Sequence, residues 1–212
     1  MKTNNLEHCI RATMCRETGS DSLVVWSDLK TDRGGETVSG ITRKNYPDLA
    51  WWADVDALRP LNGWLYSHSV DLSDYRDNSD GEVSRVEAGV LAFYAKQGQL
   101  SRSVHVDDIE SQAVAVKLYD VKLHVPGMYK ACMKEVQKEL GITADGALGP
   151  TSLKHLNAYT WDHAEPAVPQ AKLVAIIALR CLEWHSRVVQ KNPDQKSNLL
   201  GWVRRDMEGL VG

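Results

Sequence analysis

Apolar positions recur at helical spacing along most of the chain and alternate only briefly. The pattern predicts a mainly α fold with a small loop and hairpin region. Leu6, Ile10, Thr13 and Glu17 share one face of a first helix over Asn4 to Arg16, with Cys9 and Met14 beside them. Gly19 is placed to stop it. From Ser20 to Thr42 the chain is rich in Gly, Ser, Asp and Thr around a short Leu23-Val24-Val25-Trp26 run, which predicts loop, short strand and room for a hairpin. Asn45 to Asp80 mixes Trp51, Trp52, Trp64, Tyr66 and Tyr75 with many Asp and Ser residues, an irregular stretch with a short helix near Leu49 to Leu58.

The second half is more regular. Ser84 and Glu87 have capping-box spacing for a helix to about Gln97, and Asp107 and Glu110 have it for a helix from Asp108 to His124. The apolar stripe of the latter runs Ile109, Ala113, Val116, Tyr119, Leu123, and Pro126-Gly127 breaks it. Tyr129 to Leu140 is a further amphipathic helix closed by Gly141, and Pro150 starts the next. Ala171 to Val189 is apolar nearly all round at its start, which predicts a central buried helix. Beyond Pro193 a short last helix carries Trp202. Asp145-Gly146 reads as a turn, and Arg180, Trp184 and Arg204 as residues at the edge of the core.

Composition narrows the function classes. A net charge of −3 gives no reason to expect a nucleic-acid partner. No stretch approaches the length needed to span a bilayer, so stable membrane insertion is not expected. Seven Trp and seven Tyr stand against one Phe, and such amphipathic rings suit both packing and stacking on sugar faces. The four cysteines show no metal-ligand spacing and lie among apolar neighbours, which predicts reduced, buried thiols. The histidines lack the spacing of a metal site, so neither metal nor cofactor is expected.

The candidate chemistry centres on Glu17. It continues an apolar stripe, so its carboxyl is expected to face the core side or a cleft. It also lies in the last helical turn, where the dipole disfavours negative charge. Both effects raise a carboxyl pKa, as a glycosidase acid requires. Position alone suits a solvated glutamate at a helix end better. Downstream, the glycines of Asp32-Arg33-Gly34-Gly35-Glu36-Thr37-Val38-Ser39-Gly40 permit a tight backbone. It would bring the Asp32 carboxylate and the Thr37 hydroxyl to a neighbouring element, where they could hold a water. Tyr94 is a candidate to line a groove, although a tyrosine at a helix end also serves packing.

Glu17-Thr18-Gly19, followed by Asp32-Arg33-Gly34-Gly35-x-Thr37-x-x-Gly40-Ile41-Thr42, resembles the signature of glycoside hydrolase family 108, the phage-type muramidases. Val136 to Gly141, Asp145 to Thr151 and Gly201 to Arg204 resemble the peptidoglycan-binding half that accompanies it. The resemblance implies a lysozyme-like helical fold, with a catalytic part over 1–124 that carries a Trp-rich insertion at about 46–83. A helical peptidoglycan-binding part over 125–212 would pack against it. It also implies cleavage of β-1,4 bonds between N-acetylmuramic acid and N-acetylglucosamine, with Glu17 as general acid. Asp32 and Thr37 would position water, and Tyr94 and Gly40 would contact substrate. Thr18 and Arg33 replace a usual Gly and Pro, and His124 a usual Asn. The longer Glu-to-Asp spacing leaves Asp28 or Asp21 as an alternative second carboxylate.

Two rival readings stand beside hydrolysis: a lytic transglycosylase giving 1,6-anhydro products, and a peptidoglycan-binding module without turnover. The partner in each is the glycan strand of bacterial peptidoglycan, met by a monomer. No secretory signal is read at the N-terminus. A phage endolysin of the host cytoplasm, released to the wall through a holin lesion, is therefore expected, with a secreted effector as the alternative.

Overall fold

A computed structural model of the chain describes residues 4–20, 22–28, 35–62, 69–161 and 167–207. Across them the protein is mainly α, with eight α-helices and one small four-stranded antiparallel sheet. The chain divides into two compact units, Ile10–Lys96 on one hand and Met1–Cys9 with Gln97–Gly212 on the other.

In the unit Ile10–Lys96, the helix α1 (Asn5–Thr18) buries Ile10, Thr13 and Met14. It ends where Gly19 takes a φ of 75° and returns its N–H to the Cys15 carbonyl at 3.0 Å. Cys15 itself is exposed, so the expectation of four buried thiols holds for Cys9, Cys132 and Cys181 only. Cys15 lies on the far side of the helix from Ile10, where no apolar neighbour covers it.

Strand β1 (Val25–Ser27) is central in the sheet, between β2 (Thr37–Val38) and β4 (Val70–Asp71), and β3 (Ile41–Thr42) lies outside β2. Ser39 and Gly40 form a two-residue turn with φ of 47° and 79°. Positive φ at both central positions is the type I′ geometry whose twist matches a tight hairpin. It sets the register Val38 to Ile41 and Thr37 to Thr42.

The segment expected to be irregular holds β4 and the helix α2 (Trp52–Asn62), which starts later than the apolar pattern predicts. The helix α3 (Arg76–Gln97) begins well before Ser84. Ser84 and Glu87 are therefore interior, and the Ser84 hydroxyl donates to Asp80 at 3.2 Å instead of opening a helix. Val83, Val86, Val90 and Tyr94 form its buried face. Gly89 lets the Trp51 ring lie against the helix, since a Cβ there would overlap the indole.

The other unit begins with the first turn of α1. Asn5 is buried and donates to the Val106 and Ile109 carbonyls, and the Leu6 N–H donates to Asp107 at 2.8 Å. Asp107 thus satisfies an orphan donor of α1. It does not open the following helix, as its spacing to Glu110 suggested. That helix, α4 (Gln112–His124), is capped by Ser111, and the capping box belongs to His105 and Asp108 around a short 3-10 turn. Its buried set is Val114, Ala115, Leu118, Tyr119 and Val121, while Ala113 is exposed.

Four helices follow: α5 (Pro126–Glu139), α6 (Pro150–Trp161), α7 (Ala167–Lys191) and α8 (Lys196–Met207). Pro126 and Pro150 both sit at helix starts, where the missing N–H costs nothing. The central element is α7, which packs on α4, α5, α6 and α8. It buries Leu173, Val174, Ile177, Ala178, Cys181 and His185, yet Leu179 remains 62% exposed, so one side of this helix is open. At its far end the His185 ring meets Asp206 at 2.7 Å, and Lys117 donates to the Asp206 carbonyl at 2.7 Å. All three residues are buried, and each polar head has a hydrogen-bond partner where water cannot reach it.

The Asp145-Gly146 turn is structural, as its sequence suggests. Buried Gln137 donates to Asp145 at 2.7 Å and to the Ala147 carbonyl at 3.0 Å, and accepts from the Gly146 N–H at 2.7 Å. Gly146 has a φ of 81°. His124 bonds within its own helix, to Asp120 at 3.0 Å. No helix among the described residues is long and apolar enough to cross a membrane.

Candidate active site

Glu17 occupies the last turn of α1, at the end that the Gly19 cap closes. Its side chain is exposed, not turned to the core. Position 17 continues the side of α1 that buries Ile10 and Thr13, but it lies in the helix's last turn, at the edge of that covered face. Its place at the negative end of the helix dipole is as the sequence predicts.

The charge of Glu17 is felt by Tyr94. Burial first, then the neighbouring Glu17 carboxylate, then Tyr46, push the Tyr94 phenol well above the ordinary tyrosine range. Tyr94 is 5% exposed and projects from the last part of α3. Its hydroxyl donates to the Ser39 carbonyl at 2.8 Å. A Cβ on Gly40 would lie 3.2 Å from the same oxygen, so the phenol tip rests directly on the turn. Ser39 is held from its other side: its N–H donates to the Val25 carbonyl at 2.7 Å, and its hydroxyl accepts from the Val25 N–H at 3.0 Å.

Tyr94 therefore rests on the turn that holds Gly40, and its phenol is within reach of the Glu17 charge. Thr37 lies on the same hairpin, in β2, half-buried, with its hydroxyl a long 3.5 Å from the Ser27 carbonyl. Its strongest tie is to the sheet through the backbone. Asp32 and Asp21 lie outside the described residues, as do Arg33 and Gly34. Asp28, the other alternative carboxylate, directly follows β1 and is half-buried.

The sequence reading missed Glu36. Its side chain, 11% exposed, pairs with Arg43 at 3.1 Å and with Arg59 of α2, and accepts from the Trp26 indole N–H at 2.8 Å. Arg43 also donates to Asp56 at 2.8 Å and lies over the Trp52 ring, 4.6 Å from its centroid. Arg59 lies over Trp26 at 5.6 Å. Cations over indole faces and a carboxylate between two guanidiniums make a single knot that ties the hairpin to β1 and α2. A signal for it existed. Once Ser39-Gly40 is read as a two-residue turn, position 36 faces position 43, and a Glu facing an Arg is a favourable cross-strand pair.

The Trp-rich segment is used for packing where it is described. Trp51 and Trp52 are buried, 4.3 Å apart between ring centroids, and the Trp52 indole donates to the Tyr46 carbonyl at 2.8 Å. Trp64 and Tyr66 lie outside the described residues.

Comparison with models of known protein families, with curated proteins and with solved structures finds no match.

Proposed function

We propose that the protein is a peptidoglycan glycoside hydrolase, an N-acetylmuramidase, with Glu17 as general acid and the Ser39–Gly40 hairpin as the rim of its substrate site. The observation that supports this most is that the phenol bonded to the hairpin turn, Tyr94, is also the group on which the Glu17 charge acts. A lysozyme-type reaction needs a carboxyl that sugar can reach, on a rigid support. An exposed carboxyl at a capped helix end meets the first need, and a phenol bonded to a double-anchored turn meets the second.

The proton is then retained by substrate. A sugar seated over the hairpin excludes water from Glu17, and this desolvation adds to the dipole at the end of α1, raising the carboxyl's pKa in the complex. Tyr94 stays neutral at every physiological pH, so it contributes shape and one hydrogen bond and no proton. Thr37 and a carboxylate of the preceding segment, Asp32 in this reading, hold the attacking water. The enzyme acts on the wall after release from the host cytoplasm through a membrane lesion.

A second reading, a wall-binding module without turnover, is favoured by the exposure of Glu17 in the resting state. Incubation of purified peptidoglycan with the wild-type chain and with Glu17→Gln, followed by mass spectrometry of the muropeptides, separates them. Hydrolysis predicts products carrying one added water in the wild type and a loss of about 10²–10⁴ in rate for the variant. Folding should be unaffected, since the side chain is exposed. Dominant 1,6-anhydro products would make the protein a transglycosylase, and intact glycan in both reactions would leave the binding module.

A further inference from the structure

Two cysteines meet in the interior of the unit formed by Met1–Cys9 and Gln97–Gly212. Cys132 comes from the middle of α5 and Cys181 from the middle of α7, and both are buried. The Cys132 thiol lies 4.0 Å from the Ile177 carbonyl. In an α-helix that carbonyl accepts from the backbone N–H four residues on, which is Cys181, so the Cys132 sulfur sits beside the turn from which Cys181 projects. The side chains complete the contact, with the Cys181 S–H donating to the Cys132 sulfur.

The surroundings suit this pair to chemistry with each other. Among the described residues no group of three or more His, Cys, Asp or Glu side chains could hold a metal ion, so the two sulfurs are not part of a larger ligand set there. The two thiols are also unequal. The hydrogen bond from Cys181 holds the Cys132 thiol below the ordinary range; Arg180 and Lys117 act in the same direction, and burial and Asp206 oppose them. The same bond, together with burial, holds the Cys181 thiol well above that range. The first thiolate therefore forms on Cys132, with a second sulfur already in contact with it. Both atoms are sealed between helices, so a reagent reaches them only when α5 and α7 part locally.

We propose that Cys132 and Cys181 are a disulfide site, reduced in this structure, that closes by exchange with a low-molecular-weight disulfide and staples α5 to α7. The Cys132 thiolate attacks one sulfur of the reagent, forming a mixed disulfide and expelling the reagent's other half as a thiolate. Cys181 then loses its proton and attacks the Cys132 sulfur, forming the Cys132–Cys181 bond and expelling the second half. The two protein thiols lose two electrons, the reagent's S–S bond is reduced, and the two thiol protons end on the two departing thiols. The state of the site follows the compartment: open where thiols are kept reduced, closed where they are not. The staple bridges roughly fifty residues of chain, a loop long enough for its closure to restrict the unfolded chain strongly. This site goes beyond the proposed glycan chemistry and does not depend on it.

The test is incubation of the folded, full wild-type chain in glutathione buffers of rising oxidised share. Remaining thiols are blocked with N-ethylmaleimide in denaturant, and peptides are mapped by mass spectrometry. The expected product is a peptide pair joined through Cys132 and Cys181, appearing more slowly than glutathione adds to the exposed Cys15. Cys181→Ser should stop at a glutathione adduct on Cys132, and Cys132→Ser should leave Cys181 unmodified for much longer. In a Cys15→Ser background, closure should raise the urea midpoint by about 1 M or more. Recovery of both Cys132 and Cys181 as maleimide adducts, after Cys15 has been fully converted, overturns the proposal. So does linkage of either one to a different cysteine, or a midpoint that closure lowers, since the bridge would then distort the packing it is meant to hold. An adduct that forms on Cys181 in Cys132→Ser as fast as on Cys132 in Cys181→Ser overturns the order of attack. The joined peptide is read in the wild type, so the main outcome does not depend on either serine variant folding. Wall cleavage is not read here, and the hydrolase reading stands or falls separately on the Glu17→Gln assay.

Discussion

The Tyr94 hydroxyl donates to the Ser39 carbonyl across 2.8 Å, linking the end of α3 to the tip of a hairpin that has only two residues in its turn. Ser39 is fully buried, so its carbonyl has no water to fall back on if the phenol is removed. Tyr94→Phe is expected to cost about 1–2 kcal/mol in urea unfolding, with faster amide exchange confined to the hairpin. The same bond gives a pH signature. Burial and the Glu17 charge raise the Tyr94 phenol above its unfolded value, so its neutral form belongs to the folded state. A raised pKa contributes stability that is complete below the unfolded value near 10 and declines as pH climbs beyond it. Melting temperature should therefore fall from about pH 10 upward, and the fall should be shallower in Tyr94→Phe. Tyr129 of α5, raised by burial, and Tyr159, raised by burial and by Glu139, add to the slope in both proteins. A variant and wild type with parallel alkaline profiles would show that Tyr94 is not buried in solution.

Gly40 needs its missing side chain for two separate reasons. Its φ of 79° is strained for any L-residue, and an added Cβ would press within 3.2 Å of the Tyr94 oxygen. Gly40→Ala should destabilise by about 1–2 kcal/mol from backbone strain alone, with the phenol contact adding to it. Gly35, with a φ of 72° but open space at its Cβ position, is the control: Gly35→Ala should show the backbone cost without the steric one. Equal losses in chemical denaturation would mean that the Tyr94 tip yields freely. Activity separates the pair further, since Gly40→Ala alone shifts the phenol beside Glu17.

Much of this architecture could be read from residue order, and the places where it could not have physical causes. Pro126, Pro150 and Gly141 mark helix ends by local stereochemistry, and the chain obeys them. The Ser84–Glu87 and Asp107–Glu110 spacings mislead because the same residue pair, three apart, also suits an exposed helix face or a cap for another segment. Asp107 serves α1, more than a hundred residues away in sequence, which no local rule can show. At the candidate site the sequence names Tyr94 and Gly40, but not that the phenol of one rests on the turn that holds the other. Nor was the exposure of Glu17 legible, because helical periodicity assigns a face and says nothing of where the covering element stops. Glu36 escaped notice because its importance comes from Arg59 and Trp26, whose approach depends on how α2 and β1 meet the hairpin.

Glu36 and Glu17 are both glutamates of this unit, and their substitutions should behave oppositely. Glu36 is nearly enclosed and balances Arg43 and Arg59, which are each about a third exposed, so part of the cation charge is already solvated. Glu36→Gln keeps the volume and can still accept from the Trp26 indole, but it leaves two guanidiniums over indole faces with less compensation. Removing one partner of a half-buried, charge-assisted network costs about 1.5–3 kcal/mol. Lowering the net opposition by a second change, Arg59→Gln in the Glu36→Gln background, should recover part of that loss, whereas Arg59→Gln alone should destabilise. Urea midpoints of the two single variants and the double variant give the coupling directly. Strictly additive losses would mean that the Glu36–Arg59 pair contributes nothing beyond its separate contacts. Wall cleavage by Glu36→Gln, assayed well below its melting temperature, should fall much less than in Glu17→Gln. A rate as low as that of Glu17→Gln, in a folded protein, would move the acid role from the end of α1 to the hairpin strand.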